Sequence, residues 1–190
     1  MEVLTRYIRA NRRLLFFVAI FCLLMPADLK AEDSSKLKLQ EQTIKAGLVY
    51  NFLKYTTWPD NSSLIKENRL RICFFGNEPL DGNLSPLEGR TAQQSTINIV
   101  HISEINKTGE CSLVFIDRDN ANILPDLLSF LKGKQVLTVS DIDEFAKLGG
   151  MVELTIENKR IVLYINKNAV DESGLIIQTR LLKLAKLVSG

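Results

Sequence analysis

The sequence predicts a single α/β domain: a mostly parallel mixed sheet flanked by helices, with a late β-hairpin and a C-terminal amphipathic helix. Three observations support this prediction. Short apolar runs typical of buried strands recur from about residue 70 onward, segments with helical spacing separate several of them, and two late runs are joined by a two-residue turn. Strands that alternate with helices usually form a parallel sheet whose two faces are both covered.

The first 31 residues are predicted to be a cleavable secretory signal peptide. A basic start is followed by the wholly apolar run "LLFFVAIFCLLM" (14–25) and then by "PADLKA" (26–31), which supplies a helix breaker and small residues. The apolar run has twelve residues, whereas a membrane-spanning helix needs about 20. We therefore favour cleavage after Ala31 over an uncleaved anchor, and expect residues 32–190 to form one periplasmic domain that does not span the membrane.

The net positive charge of the chain comes from this leader. Five of the 24 basic residues and two of the 22 acidic residues lie within residues 1–31, which leaves 19 basic and 20 acidic residues and a net charge of −1. The predicted domain therefore has no basic field of the kind that attracts nucleic acid.

The first predicted helix runs from about residue 37 to residue 57 and is unusually aromatic near its end, in "YNFLKYTTWPD" (50–60). Its expected buried face, at helical spacing, comprises Ile44, Leu48, Phe52 and Tyr55, and is broadened by Ala46, Val49 and Leu53. Tyr50, Lys54 and Trp58 lie on successive turns and are predicted to face outward as a partner-binding surface, because Tyr and Trp dominate binding hot spots. The alternative is that these aromatic residues pack the helix onto the sheet, with Trp58 sealing one end.

The remaining elements follow in order. Strands are predicted at 70–76, 96–102, 111–117, 135–141, 151–157 and 160–166, the last two as a hairpin across "NK". Helices are predicted at 121–133, with Pro125 in its first turn and Gly133 at its end, at 140–150, and at 174–188 as the amphipathic closing helix.

Cysteine usage agrees with export. Cys22 lies in the leader, so Cys73 and Cys111 remain, and two cysteines in an exported protein predict one disulfide; two separate buried thiols are the alternative. No zinc site is expected, because the two sulfurs and the one histidine, His101, are fewer than the four ligands of a structural zinc site.

Catalytic and nucleotide-binding motifs are not found. The sequence contains no G-x-G-x-x-G, no phosphate-binding loop and no G-x-S-x-G, and no cofactor is predicted. The alternative function is to bind a small anionic or aromatic ligand at the strand ends. The candidate residues for that site are Gly76, Arg90 and Arg118. A plain turn at Gly76 and solvated arginines would account for the same pattern.

The order of several motifs resembles the YfiR family of small exported proteins from Gram-negative bacteria. The matching residues are Lys45, Ala46, Tyr50, Asn51, Phe52, Lys54, Trp58, Pro59, Cys73, Gly76, Leu87, Gly89, Arg90, Cys111, Val139, Ser140, Asp141, Phe145, Gly149, Gly150, Asn166, Leu181, Leu182, Leu184 and Ala185. Two departures are the lack of a second cysteine pair near Gly149 and the threonine at position 179.

The resemblance implies a periplasmic regulator rather than an enzyme. Its expected partner is the periplasmic sensor region of an inner-membrane diguanylate cyclase, which the protein would repress and thereby lower cyclic-di-GMP signalling and biofilm formation. A homodimer is compatible with an aromatic surface.

Overall fold

The computed structural model describes residues 29–59 and 68–189, so residues 1–28 of the predicted leader lie outside the described residues. One unit extends from Leu39 onward. The strands are Thr56–Thr57 (β1), Arg69–Phe75 (β2), Thr91–Ala92 (β3), Ser95–Ile102 (β4), Leu113–Ile116 (β5), Leu137–Ser140 (β6), Val152–Glu157 (β7), Arg160–Asn166 (β8), Ile176–Ile177 (β9) and Ala185–Val188 (β10). The α-helices are Leu29–Tyr55 (α1), Leu124–Leu131 (α2), Lys167–Glu172 (α3) and Thr179–Leu182 (α4).

Eight strands form one mixed sheet in the order β10-β8-β7-β6-β5-β2-β4-β3. Its centre, β4-β2-β5-β6-β7, is entirely parallel, and has the 2-1-3-4-5 order of doubly wound folds. The hairpin β7–β8 is antiparallel, and β10 lies parallel to β8 at the edge. The predicted α/β domain with a mostly parallel mixed sheet is therefore confirmed.

The sheet has two covered faces because its strands alternate their side chains. In β2, Leu70 and Ile72 join the core beneath α1, whereas Cys73 and Phe75 join the core beneath α2. The α1 side also receives β9 and the short 3₁₀ turns Leu80–Gly82 and Ser85–Leu87. The part of α1 from Leu39 onward therefore lies on the opposite face of the sheet from α2.

The hairpin was predicted correctly, and its turn has a clear cause. Asn158 and Lys159 both have positive φ, at 50° and 62°, and connect the paired residues Glu157 and Arg160. Positive φ at both central positions is the geometry of the turn whose twist matches that of the strands.

The helix around Pro125 is also confirmed: Pro125 lies in the first turn of α2, and Gly133, with φ of 70°, follows its end.

The predicted C-terminal amphipathic helix is wrong. The segment instead contains β9, the four-residue helix α4 and the edge strand β10. Leu175 and Ile177 are buried while Ile176 between them is exposed, which is strand periodicity rather than helix periodicity. Hydrogen bonding to β1 and β8 supplies the backbone partners that an isolated helix would have made internally.

The predicted helix at 140–150 is also absent, and turns occupy this stretch. The buried carboxylate of Glu153 accepts hydrogen bonds from the backbone N–H groups of Glu144 (3.2 Å) and Ala146 (3.1 Å). These bonds satisfy the backbone donors outside a helix. Two glycines end the stretch: Gly149 has φ of 105°, and a Cβ on Gly150 would lie 2.1 Å from the buried Phe145 ring.

Cys73 and Cys111 form the predicted disulfide, with a Cα–Cα distance of 6.0 Å. It connects β2 to the residue two positions before β5, which is its neighbour in the sheet. Both cysteines are buried in the core beneath α2. The bridge is therefore protected from reductants while the domain is folded.

We predict that replacing both cysteines, Cys73→Ser with Cys111→Ser, lowers the free energy of unfolding by roughly 3–4 kcal/mol, because the open chain regains the entropy of its loop. Urea denaturation followed by circular dichroism measures this. Dithiothreitol should reduce the native wild-type bridge slowly and the denatured bridge rapidly. Unchanged stability in the double variant would contradict the structural role of the bridge.

Candidate functional site

A buried ion pair fixes the rotation of helix α1. Lys45 is 3% exposed, and its Nζ lies 2.8 Å from Asp141 Oδ2 and 2.7 Å from Glu41 Oε1. Asp141 follows β6 directly, so the pair ties the helix to one strand end. Since a buried charge is costly without its partner, Lys45 must face the sheet.

The predicted buried face of the helix is confirmed for Ala46, Val49, Phe52 and Leu53, which are buried together with Lys45. It is wrong for Ile44, which is 55% exposed. The prediction ranked positions by apolarity alone, and the hydropathy of a lysine gives no sign that it lies at the centre of a buried face.

Helix α1 passes directly into a short antiparallel ribbon, β1–β9. Thr56 pairs with Ile177, and Thr57 pairs with Ile176. Gln93 supports the junction: its Nε2 donates to the carbonyl of Leu53 at 2.5 Å and to that of Thr56 at 2.6 Å. Carbonyls at a helix C-terminus lack intrahelical partners, so this side chain satisfies acceptors that the helix leaves open.

Strand alternation decides which ribbon side chains reach the surface. Thr56, Trp58 and Ile177 point inward and are buried, whereas Thr57 and Ile176 are exposed. The change from helix to strand at residue 56 is therefore what buries Trp58.

The outward side of the ribbon carries two cations and apolar surface. We call Lys54, Tyr55, Thr57, Ile176 and Arg180 the ribbon face. Lys54 Nζ lies 5.4 Å and the Arg180 guanidinium carbon 4.5 Å from the centroid of the Tyr55 ring, and Ile176 is 64% exposed. Partial burial alone would raise the pKa of Tyr55, but hydrogen bonding to Lys54 and Arg180 and their positive charges outweigh it, so the pKa is lowered.

The structure separates the three residues predicted as a partner-binding surface. Trp58 is 2% exposed and belongs to the core, so its predicted outward orientation is wrong. Tyr50 is half-buried, and its hydroxyl donates to the carbonyl of Thr91 at 3.2 Å. Lys54 is exposed and lies on the ribbon face.

Sequence reasoning missed the other charged and apolar members of this face. Arg180 and Ile176 were assigned to the supposed closing helix, where they would have had other neighbours. The pair Ile176–Ile177, β-branched and followed by polar residues, was the available signal for a short strand.

The three predicted ligand residues do not converge. Gly76 follows β2 and Arg118 follows β5, so both lie at the carboxyl edge of the sheet. Arg90 lies elsewhere. Its carbonyl accepts a hydrogen bond from the N–H of Ile97, early in β4. This places Arg90 roughly 16 Å, measured along the strand direction, from the carboxyl edge of the sheet. Arg118 is engaged with Asp143, at 2.8 Å.

Asn120 occupies the crevice where the strand order reverses, between β2 and β5. Its Nδ2 donates to the carbonyl of Phe75 at 3.3 Å and to Asp117 Oδ1 at 2.5 Å. Burial raises the pKa of Asp117, the Asn120 hydrogen bond partly offsets this, and the nearby carboxylates of Asp119 and Asp141 raise it further. This edge therefore holds a carboxyl group with a disfavoured charge. His101 is exposed beside Phe74.

A separate groove of about 450 Å³ lies between α2, the segment 148–151 and α3. Apolar side chains, including Leu128, Leu148 and Met151, dominate its wall, and Lys132 and Glu172 lie among its polar residues. Asn166, which is buried there, donates to the carbonyl of Ala146 (2.9 Å) and accepts from the N–H of Ala169 (3.1 Å), so its role is to hold the backbone.

In residues 29–59 and 68–189, no cluster of three or more His, Cys, Asp or Glu side chains suits a metal ion. Across the same residues, no helix combines the length and apolarity needed to cross a membrane.

A family model described as "DUF4154: YfiR/HmsC-like" matches residues 42–186. The match includes nearly the whole unit that begins at Leu39, with its ion pair, disulfide and ribbon. The chain therefore belongs to the YfiR/HmsC-like family, as its motifs indicated.

Among curated proteins, none matches the sequence significantly. Two solved structures are similar at low identity: the ABC domain in complex with L-Trp from Streptococcus pneumonia, at 14% identity and a TM-score of 0.45, and a conserved domain protein from Vibrio cholerae O1 biovar El Tor, at 10% identity and 0.45. The alignments cover 66% and 62% of this chain, and 58% and 54% of those chains.

We predict that Lys45→Met costs about 3–5 kcal/mol of unfolding free energy, because it leaves Asp141 buried without its cation. Combining it with Asp141→Leu should restore much of the loss. Lys54→Met, which removes an exposed lysine from the same helix, should cost less than about 0.5 kcal/mol. Urea melts of the three variants test this, and equal effects at positions 45 and 54 would contradict it.

Because the folded state raises the pKa of Asp117, this residue favours folding at acidic pH, and that contribution disappears as the pH rises through its folded pKa. Asp117→Asn should therefore raise the melting temperature at pH 7. The difference from the wild type should shrink at pH values below the ordinary pKa of aspartate.

Thermal melts across pH 3–8 measure the effect. Asp126→Asn, at an exposed position in the first turn of α2, is the matched control and should not raise the melting temperature. A destabilised Asp117→Asn protein at neutral pH would show that the charge is favourable there.

Proposed function

We propose that this chain is a periplasmic regulatory protein that binds the periplasmic sensor region of an inner-membrane diguanylate cyclase and represses it. The observation that carries the proposal is the family match over residues 42–186. Repression of this kind needs a difference in affinity for two states of the partner and no chemistry in the regulator.

The ribbon face is our proposed contact surface. It combines a partly buried tyrosine, an arginine and an exposed isoleucine, and aromatic and arginine side chains are enriched among interface hot spots. Of the residues proposed from sequence, Lys54 remains part of this surface and Tyr50 lies one turn before it, while buried Trp58 supports the ribbon from inside. Its backbone is anchored by Gln93 and by the Gln178 N–H, which donates to the Tyr55 carbonyl at 2.9 Å.

A rigid body suits such a regulator. The buried disulfide and the Lys45–Asp141 pair act on opposite sides of the sheet, and both limit local opening. The ion pair ties α1, which leads into the ribbon, to the sheet, so less conformational freedom is lost at the contact and more of the interaction energy appears as affinity. We propose that the disulfide supports function through this rigidity.

The test is capture of the partner from membranes. Affinity-tagged wild-type protein, exported to the periplasm, should co-purify with a diguanylate cyclase from detergent-solubilised membranes. Deleting the gene for this protein should raise cellular cyclic-di-GMP, and restoring the exported protein should lower it. Unchanged cyclic-di-GMP together with no captured cyclase would contradict the proposal.

The groove between α2 and α3 favours a second candidate function, a small-ligand-binding module. Its volume of about 450 Å³ falls in the range of small-molecule sites, about 300–1,000 Å³. A thermal-shift screen against small anionic and aromatic compounds separates the two functions. Stabilisation of the wild type, lost when Leu128→Arg fills the groove, would favour the ligand module.

A further inference from the structure

We propose that Lys54, Tyr55 and Arg180 form a carboxylate-binding site, into which the partner inserts an Asp or Glu side chain beside Ile176. This inference rests on the proposed function and specifies the partner's chemistry. It predicts that the bound segment of the partner presents an acidic residue next to an apolar one.

Two cations lie beside the ring of one tyrosine. The Lys54 ammonium and the Arg180 guanidinium both contact the Tyr55 side chain, at 5.4 and 4.5 Å from its ring centroid. The pKa of Tyr55 is lowered by hydrogen bonding and positive charge from both cations, in agreement with their positions beside this side chain. A guanidinium, an ammonium and a phenol hydroxyl are all donors that a carboxylate accepts from.

The two cations lie beside the same ring, and no carboxylate in the described part of the chain neutralises them. No carboxylate of residues 29–59 or 68–189 lies within ion-pair distance of Lys54 or Arg180. Arg118, by contrast, is neutralised by Asp143 at 2.8 Å. Two like charges around one ring repel each other, and an incoming carboxylate relieves that repulsion while gaining two attractions.

The neighbouring apolar surface defines the rest of the ligand. Ile176 lies on the same outward side of the ribbon and is 64% exposed. An exposed isoleucine beside a cationic pair suits a protein segment that offers both a carboxylate and an apolar side chain. Burial of the pair by that segment would exclude water and strengthen the charge-assisted bonds.

A protein carboxylate fits the observations better than an anionic membrane. Binding to lipid headgroups typically uses clusters of about 4–8 basic residues, whereas this site has two. Residues 32–190 carry a net charge of −1, so the remaining surface adds no attraction to an acidic bilayer.

The test measures binding of the isolated periplasmic sensor domain of a membrane diguanylate cyclase from the same organism to immobilised full-length mature protein. Arg180→Glu and Lys54→Glu should each raise Kd by about tenfold or more, the effect of losing a charge-assisted hydrogen bond. Lys183→Glu makes the same charge change at the end of the same short helix as Arg180 and should change Kd less than about twofold, since rim charges contribute little. Melting temperatures should be equal in all four proteins.

The outcomes separate this inference from the proposed function. If the wild type binds the sensor domain and all three variants bind equally well, the carboxylate site is wrong while the regulatory function stands. If the wild type does not bind, the proposed function fails and the inference fails with it. If Arg180→Glu instead abolishes binding to phosphatidylglycerol vesicles and leaves sensor binding intact, the cations recognise lipid and the inference is overturned.

Discussion

The rotation of helix α1 is the constraint on which the rest of the surface depends. Lys45 must face the sheet because its charge is matched there by Asp141, at 2.8 Å. With that residue fixed, helix geometry directs Phe52 and Leu53 into the core and places Lys54 and Tyr55 at the boundary. The conversion to a strand at Thr56 then sets the alternation that buries Trp58 and exposes Thr57.

The disulfide acts on the opposite side of the sheet. Cys73 in β2 and Cys111 just before β5 belong to the core beneath α2, whereas Trp58 and Ile177 of the ribbon belong to the core beneath α1. The two devices therefore have different consequences. The bridge stabilises the central strands, whereas the ion pair determines which residues of the first helix lie at the surface.

Much of the fold could be predicted from sequence, because the central strands are continuous apolar runs and the hairpin has its own turn. The closing segment could not, because its leucines fit a helix and a pair of short strands equally well, and only the free edges of β1 and β8 decide between them. The segment 140–150 was mistaken for a helix since the Glu153 carboxylate that binds its backbone comes later in the chain. The surface was mistaken for the same kind of reason: Tyr50, Lys54 and Trp58 share a face only if the helix continues to residue 58, and it ends at Tyr55.

We propose that the regulatory contact lies on the ribbon face, and site-specific photo-crosslinking in living cells tests this most directly. A photoreactive amino acid at Thr57 or at Ile176 should crosslink the periplasmic protein to a membrane diguanylate cyclase. The same residue at Lys159, exposed in the β7–β8 turn, should not. Crosslinks to the cyclase from Lys159, with none from Thr57 or Ile176, would contradict the account.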